Sequence, residues 1–259
     1  MQYEQIIWEQ KGQIVQLTLN RPDIRNAVTG EEMTGEIEDA CMQINKDQGI
    51  KVLILTGKDP AFSSGGNIKD MLHKRGMFAG TPQEIMENYR KQVQRIPRAV
   101  YNVEVPSIAA VNGPAVGAGC DLALMCDMRV ASTQARFAES FLSVGLIPGD
   151  GGAFFLPRVV GQAKAAEMTF TARTVFAKEA AEMGLVNRMV EHEELVPRAM
   201  DLARQIADKP GAALRMSKRL LRLSQSSSME QMLEQSAAYQ ALCHTTEEHM
   251  QALRNILEK

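Results

Sequence analysis

This chain of 259 residues has few of the residue types from which metal and redox sites are built. It contains four cysteines and four histidines, and only 5% of its residues are aromatic. The cysteines show no metal-ligand spacing and the histidines are scattered, so we expect no metal site. Cys41, Cys120 and Cys126 lie in apolar surroundings, which favours reduced, mostly buried thiols.

Strong charge and long apolar runs are also absent. The formal net charge is −2 at pH 7, so there is no bulk electrostatic attraction to nucleic acid or to an anionic membrane. No apolar run is long enough to span a bilayer. The first residues, MQYEQIIWEQKGQ, lack a signal-peptide core and a basic transit pattern. We therefore expect a cytoplasmic protein that binds neither nucleic acid nor membranes.

The order of predicted elements indicates an α/β fold. Apolar fraction (45%) and charged fraction (23%) are ordinary for a globular chain. Hydrophobic periodicity predicts strands at 3–8, 14–19, 52–56, 107–111 and 128–131. It predicts a helix capped by Thr29 and further helices at 82–99, 161–170, 177–183, 192–207, 211–223 and 229–256, with an irregular, mobile segment at 72–82. We expect an α/β core over residues 1–200 and a helical region over 201–259.

Two glycine-rich turns each follow an apolar strand and precede a helical pattern. The first is FSSGGN, which contains Gly66, and the second is NGPAVGAG, which contains Ala118. Backbone N–H groups at such turns can face outward and hold an anion or a developing oxyanion. Neither turn ends in the Gly-Lys-Ser/Thr of a phosphate-binding loop, and neither has the three-glycine dinucleotide fingerprint.

Two aspartates follow these turns in apolar or glycine-rich surroundings. Asp121 lies in the apolar run CDLALM, and Asp150 ends the loop IPGD. A carboxylate is costly to bury unless it is paired or protonated, so both are candidates for acid–base chemistry. The structural alternatives are an ion pair of Asp121 with Arg129, and a cap by Asp150 on a helix that begins near Gly151.

Five motifs, in this order, resemble the enoyl-CoA hydratase/isomerase family of the crotonase superfamily. They are LNRPDIRNA, FSSGGNIKDM, SIAAVNGPAVGAGCDLALMCDMRVAS, VGLIPGDGG followed by LPRVVG, and EMGLVNRMV. The resemblance implies a crotonase-like fold, in which a spiral of ββα turns precedes a helical trimerisation region. It also implies a coenzyme A (CoA) thioester substrate, no cofactor other than the CoA of that substrate, and a homotrimer or homohexamer.

The resemblance also implies roles for individual residues. The family's oxyanion hole matches the N–H groups of Gly66 and Ala118, which would hold the thioester oxygen as an enolate develops. Positions that contact CoA match Arg25, Ala27, Ser64, Asn67 and Ile68. For Arg25 the alternative is a solvated surface cation.

The acid–base positions depart from the family pattern. A hydratase of this family uses two glutamates; the first matches Asp121, and the second matches Phe141, which cannot transfer a proton. Asp150 lies in a loop that borders the acyl pocket in this family. Glu139 would share the face of Phe141 if the segment were a strand, and we interpret it as a structural or subunit-contact residue.

The sequence therefore predicts an acyl-CoA enzyme that stabilises a thioester enolate. Hydration or double-bond isomerisation of an unsaturated acyl-CoA is favoured. The alternatives are hydrolysis, dehalogenation or C–C cleavage of a CoA thioester, or a catalytically weakened CoA-binding protein. We predict Asp121, Asp150, Gly66 and Ala118 as the catalytic residues.

Overall fold

Two sheets form the core of the computed structural model, which describes residues 3–258. The larger sheet has the spatial order β1 (Ile6–Lys11), β2 (Ile14–Leu19), β3 (Val52–Gly57), β4 (Ser107–Val111), β6 (Met128–Ser132) and β9 (Arg188–Val190). The smaller sheet has the order β5 (Pro114–Val116), β7 (Arg136–Ala138) and β8 (Val175–Phe176). The β1–β2 and β7–β8 pairs are antiparallel, and the other pairs are parallel.

Helices connect the strands and then dominate the C-terminal part. In chain order they are α1 (Glu31–Lys46), α2 (Ile68–Leu72), α3 (Pro82–Lys91), α4 (Arg95–Tyr101), α5 (Ala118–Met125), α6 (Gly152–Val160), α7 (Gln162–Thr171), α8 (Ala177–Glu182), α9 (Leu195–Ala207), α10 (Gly211–Leu223), α11 (Met229–His244) and α12 (Glu247–Leu257). No helix within residues 3–258 is both long and apolar enough to cross a membrane.

The central strands are buried on both faces. Every residue of β3 and β4 is buried, as the unbroken apolar run VLILT predicted. One face of the sheet packs in a large cluster with α1 and α5. The other face packs against α9, where Leu195, Ala199 and Ala203 meet Ile54 and Ile108. The core is therefore two apolar layers on either side of one mainly parallel sheet.

Helix α9 crosses the predicted boundary between the core and the helical region. The boundary between residues 200 and 201 falls inside α9, and the buried residues of this helix include Met200, Ala203 and Ala207. The whole helix lies on the large sheet because its apolar stripe continues past residue 200. The helical region outside the core therefore begins at α10, after Pro210.

Two long predicted helices are each interrupted. The 82–99 helix divides into α3 and α4, because Pro97 has no N–H to donate to a preceding turn. The 229–256 helix divides into α11 and α12 at Thr246, whose side chain accepts a hydrogen bond from the N–H of His249 at 3.2 Å. An N-cap threonine therefore begins a new helix where hydrophobic periodicity predicted continuity.

Local details near the N-terminus also differ from the prediction. Strand β1 runs over 6–11 rather than 3–8, because the two-residue turn at Gly12 and Gln13 pairs Lys11 with Ile14. Thr29 does not cap α1, which follows Gly30 without a side-chain cap. The Thr29 hydroxyl instead accepts a hydrogen bond from the N–H of Asn67 at 3.1 Å. Within the 72–82 segment, a 3-10 turn at Gly76–Phe78 buries Met77.

Candidate active site

The two glycine-rich turns lie side by side. The N–H of Ser63 donates to the carbonyl of Pro114 at 3.1 Å, and the N–H of Val116 donates to the carbonyl of Ser63 at 3.0 Å. A Cβ on Gly65 would lie 2.9 Å from the backbone nitrogen of Ala118, and a Cβ on Gly119 would collide with Ser63. Glycine at these two positions therefore permits the close approach of the turns.

Two backbone donors are left free where the turns meet. Ala118 is the first residue of α5 and is buried, and Gly66 immediately precedes Asn67, the N-cap of α2. Within residues 3–258, neither N–H donates a hydrogen bond to an internal acceptor. The amino-terminal end of α5 adds a positive dipole end. The pair can therefore hold a partial negative charge on a ligand oxygen.

Three buried carboxylates gather beside these turns. Asp121 lies one helical turn into α5, Glu139 follows β7, and Asp150 precedes α6. Their exposed fractions are 0%, 1% and 6% respectively. A Cβ on Gly152, the first residue of α6, would collide with Asp121 Oδ1 and lie 2.8 Å from Glu139 Oε2. The absence of a side chain at Gly152 is what leaves room for the two carboxyls.

Backbone hydrogen bonding explains why segments distant in sequence meet here. The N–H of Gly117, the N-cap of α5, donates to the carbonyl of Ala138 at 2.8 Å. Strands β5 and β7 are paired directly before these residues, with Val116 opposite Ala138. Asp121 and Glu139 are thus brought together by the small sheet.

The three carboxylates have no cationic partner among residues 3–258. None of the three forms an ion pair with a basic residue in the described part of the chain. Both oxygens of Asp121, both oxygens of Glu139 and Oδ1 of Asp150 lack a hydrogen-bond donor. Burial raises the pKa of Asp121 well above its usual value, and the charges of Glu139 and Asp150 raise it further.

The pKa values of the other two carboxyls are also raised. Burial raises the pKa of Glu139, and burial together with the charge of Glu139 raises the pKa of Asp150 to about 6. The cluster therefore retains protons at a pH where exposed carboxyls have lost theirs, which suits groups that exchange protons near neutral pH.

Both structural alternatives for the aspartates are wrong. Arg129 does not pair with Asp121; its guanidinium donates to the carbonyls of Leu185 at 2.7 Å and Cys126 at 2.8 Å. Asp150 does not cap α6, whose N-cap is Gly151 with no side-chain hydrogen bond.

The interpretation of Glu139 also needs correction. Ser140–Val144 forms a 3-10 helix rather than a strand, so Glu139 and Phe141 do not share a strand face. Glu139 is almost fully buried within one chain. It therefore has almost no surface with which to contact another subunit. The sequence did contain a signal of this burial. Glu139 directly follows the apolar pair Phe137-Ala138, just as Asp121 lies within an apolar run.

Aromatic and apolar side chains surround the free donors and the carboxylates. A Cβ on Gly117 would lie 3.6 Å from the Phe141 ring, and a Cβ on Gly149 would lie 3.2 Å from the Tyr89 ring. Burial and the nearby charge of Asp150 raise the pKa of Tyr89. The end of the Met71 side chain packs against Gly66. Such apolar walls suit an acyl chain.

The predicted CoA-contacting positions lie together at one edge of this site. The N–H of Ser64 donates to the carbonyl of Arg25 at 2.9 Å, and its hydroxyl donates to the carbonyl of Ile24 at 3.2 Å. Arg25 is exposed, Ala27 is buried, and Asn67 begins α2. Ile68 is 65% exposed. An exposed cation and an exposed apolar side chain therefore lie on the loops that adjoin Gly66.

One residue that the sequence did not single out joins these loops. Asn26 is completely buried, and its side chain donates to the carbonyls of Lys58 and Ala61, both at 2.7 Å. Its side-chain oxygen accepts from the N–H of Arg21 at 2.8 Å. Asn26 has a φ of 54°, a left-handed conformation that asparagine tolerates better than most residues. Its amide fixes the loop that carries Arg25.

Comparison with known proteins gives consistent relatives over the whole chain. The model of the enoyl-CoA hydratase/isomerase family matches residues 9–259. A crotonyl-CoA hydratase of Syntrophomonas wolfei is 35% identical over 260 residues, which cover 100% of this chain and 97% of the relative. A 1,2-epoxyphenylacetyl-CoA isomerase of Escherichia coli is 31% identical, over 95% of this chain and 92% of the relative.

Solved structures share the fold. An enoyl-CoA hydratase from Bacillus anthracis superposes with a TM-score of 0.91 at 26% identity, covering 98% of this chain and 96% of that one. An enoyl-CoA hydratase from Mycobacterium smegmatis superposes with a TM-score of 0.90 at 29% identity, with the same coverage of 98% and 96%.

Proposed function

Because this chain belongs to the enoyl-CoA hydratase/isomerase family, we propose that it moves a proton along an unsaturated acyl-CoA held at Gly66 and Ala118. It is an enzyme of the hydratase/isomerase type with the crotonase-like fold, and the sequence prediction of both is confirmed. The observation that carries the finer proposal is the position of three buried carboxylates beside two free backbone donors.

The oxyanion step needs only the main chain. The thioester oxygen accepts hydrogen bonds from the N–H groups of Gly66 and Ala118, and these bonds strengthen as the oxygen gains enolate charge. Alanine at position 118 serves as well as glycine, because no side chain takes part. The start of α5 supports the same charge through its dipole.

We favour double-bond isomerisation as the reaction. Removal of a proton from one carbon of the acyl chain and its return to another needs one acid–base group on one side of the substrate. Asp121 and Asp150 converge with Glu139 near Gly152, whereas the second glutamate position of a hydratase holds Phe141. Symmetrical addition of water by two opposed glutamates is therefore disfavoured.

Hydration is the second candidate, and Asp150 is the observation in its favour. A carboxyl with a pKa of about 6 can serve as a general base for water near neutral pH. The Syntrophomonas wolfei relative is named as a crotonyl-CoA hydratase, which also supports this reaction.

A pair of assays separates these reactions. The protein is given crotonyl-CoA, with hydration followed by loss of the enoyl absorbance, and separately a 3-enoyl-CoA, with isomerisation followed by gain of that absorbance. Faster turnover of the 3-enoyl-CoA supports isomerisation, and faster loss of crotonyl-CoA supports hydration. Binding of both esters without turnover supports a CoA-binding protein. No affinity for acetyl-CoA by calorimetry would make the proposal wrong.

Substrate binding is proposed to use the edge formed by Arg25, Ala27, Ser64, Asn67 and Ile68. Arg25 is the exposed cation at this edge, and it suits a CoA phosphate, so binding should weaken as salt is added. We propose no cofactor beyond the CoA of the substrate.

We also propose a homotrimer or homohexamer. Apolar side chains on α11 and α12 are exposed in one chain, including Leu233 at 62%, Leu242 at 53% and Ile256 at 69%. A cavity of about 830 Å³ between α4, α6, α10 and α11 continues this surface and is lined in part by Tyr101, Phe154 and Leu242. Surfaces of this kind mark protein interfaces. The cytoplasmic location stays a prediction.

A further inference from the structure

The contact between the carboxyls of Asp121 and Glu139 is not used by the steps above. We propose that these two side chains share one proton and act as a single acid–base unit, in which Glu139 is a positioning residue for Asp121. This inference rests on the proposed function, because it assigns the proton chemistry of that same site.

The geometry leaves a shared proton as the favourable arrangement. Asp121 Oδ1 and Glu139 Oε2 both occupy the space that a Cβ on Gly152 would fill. Both oxygens are buried without a hydrogen-bond donor. Ionised carboxylates are acceptors only. Two of them held together in the interior repel each other, whereas one proton between them turns the contact into a charge-assisted hydrogen bond.

Other groups around the pair do not replace that proton. The neutral Cys120 thiol lies near Glu139 and the N–H of Gly152 lies near Asp121, but neither carries a positive charge, and Asp150 and Tyr89 supply none. Basic side chains on the surrounding elements bind elsewhere, to backbone carbonyls (Arg98, Arg129, Arg158 and Lys164), to Glu31 and Glu38 (Arg95) or over the Phe176 ring (Arg136). The pair therefore has no counter-ion among the described residues.

The pair can carry out the proposed isomerisation with balanced atoms and charge. It begins with one proton and one negative charge. A substrate C–H bond breaks, the proton forms a new O–H bond on Asp121, and the electron pair moves to the thioester oxygen at Gly66 and Ala118. The pair, now neutral, returns one proton to the other carbon and regains its charge. Glu139 acts through Asp121 and need not touch the substrate.

The decisive experiment counts protons in the full chain with Glu139→Gln. The native pair keeps its proton to a higher pH than unfolded carboxyls do, so the contribution of the pair to the unfolding free energy falls as pH rises above about 4. Glutamine can donate to the Asp121 carboxylate and removes the like charge. The number of protons released on unfolding at pH 7, taken from urea denaturation across pH, should fall by about one.

Glu182→Gln is the matched control, because Glu182 is exposed at the end of α8 and should leave the proton count unchanged. If Glu139→Gln does not fold, Asp121→Asn removes the same charge from the other member and should give the same loss. A wild-type proton count in either folded variant would show that no proton is shared and would overturn the proposal.

Activity gives a second readout. In Glu139→Gln the basic limb of the kcat–pH profile, at which the native pair loses its shared proton, should disappear, because glutamine has no proton to lose, while the affinity for acetyl-CoA stays the same. A basic limb that persists would contradict a positioning role. If the wild type itself neither binds acetyl-CoA nor turns over unsaturated acyl-CoA esters, the proposed function fails and so does the catalytic role, whereas the proton count still reports whether the pair exists.

Discussion

At the scale of single residues, Asp150 shows how surroundings set the chemistry of a carboxyl. Its pKa is raised to about 6 by burial and by the charge of Glu139. If Asp150 acts as a base, activity should rise with pH through about 6, because only the ionised form accepts a proton. Asp150→Asn should remove that limb from the kcat–pH profile and lower kcat by about 10²–10⁴-fold.

The same substitution has a predicted effect on stability. The folded pKa of Asp150 lies above the unfolded value, so its contribution lowers the unfolding free energy as pH rises from about 4 to 6, by roughly 3 kcal/mol at most. Above pH 6, Asp150→Asn should therefore be more stable than the wild type in urea denaturation. Asp208→Asn, at an exposed position, is the control. Unchanged kcat in Asp150→Asn would remove Asp150 from the mechanism.

Features of the candidate site were predictable where the evidence was local. Asp121 was singled out because a carboxylate in an apolar run is conspicuous, and Gly66 and Ala118 because glycine turns expose N–H groups; their catalytic roles stay predictions. The position of Glu139 beside Asp121 was not predicted, because it depends on contact with a residue 18 positions earlier, through β5 and β7. No spacing along the chain reveals that pairing.

At the scale of elements, the approach of α5 to the 62–67 turn depends on a small residue. A Cβ on Gly119 would collide with the carbonyl group of Ser63, so Gly119→Ala must separate the two turns. We expect a loss of about 1–3 kcal/mol in unfolding free energy and weaker binding of acetyl-CoA, since the donors of Gly66 and Ala118 move apart.

Gly35→Ala provides the matched control for this change. Gly35 lies inside α1, and a Cβ there would meet no atom within 4 Å. Because alanine favours helix more than glycine does, this variant should gain up to about 1 kcal/mol and bind acetyl-CoA normally. Denaturation and calorimetry on both variants check the prediction. Normal acetyl-CoA affinity in Gly119→Ala would show that the close approach is unimportant.

Most strands and helices were predictable, and the errors have physical causes. Buried strands such as β3 and β4 are evident from their composition alone. Hydrophobic periodicity predicted continuous helices through Pro97 and Thr246. An apolar stripe gives no information about a missing backbone N–H or about an N-cap side chain. Thr29 was taken for a helix cap, but its hydroxyl is used by Asn67 across the fold, a contact that sequence distance conceals.

At the scale of the whole molecule, assembly should depend on the exposed faces of α11 and α12. Leu242→Glu with Ile256→Glu places charges on surface that we propose to be covered by another copy. Light scattering should give a trimer or hexamer for the wild type and smaller species for the double variant. Gln13→Glu, on the exposed β1–β2 turn, should assemble normally.

Substitution tests this surface better than truncation after Ser228. Glu248 of α12 accepts hydrogen bonds from the N–H groups of Gly211 at 2.9 Å and Ala212 at 3.2 Å. Truncation would therefore also remove the acidic group at the start of α10. A monomeric wild type in light scattering would contradict the proposed assembly.

The two donors of the proposed oxyanion hole differ in how firmly folding has ordered them. Ala118 belongs to α5, all of which is buried, whereas Gly66 precedes the five-residue helix α2, where Ile68 and Leu72 are 65% and 76% exposed. Conformational entropy at Ala118 is thus lost once, when the chain folds. Any further loss on ligand binding falls on α2, whose side chains still have rotamers to lose. We therefore expect the protein to lose conformational entropy on substrate binding mainly on the Gly66 side of the site.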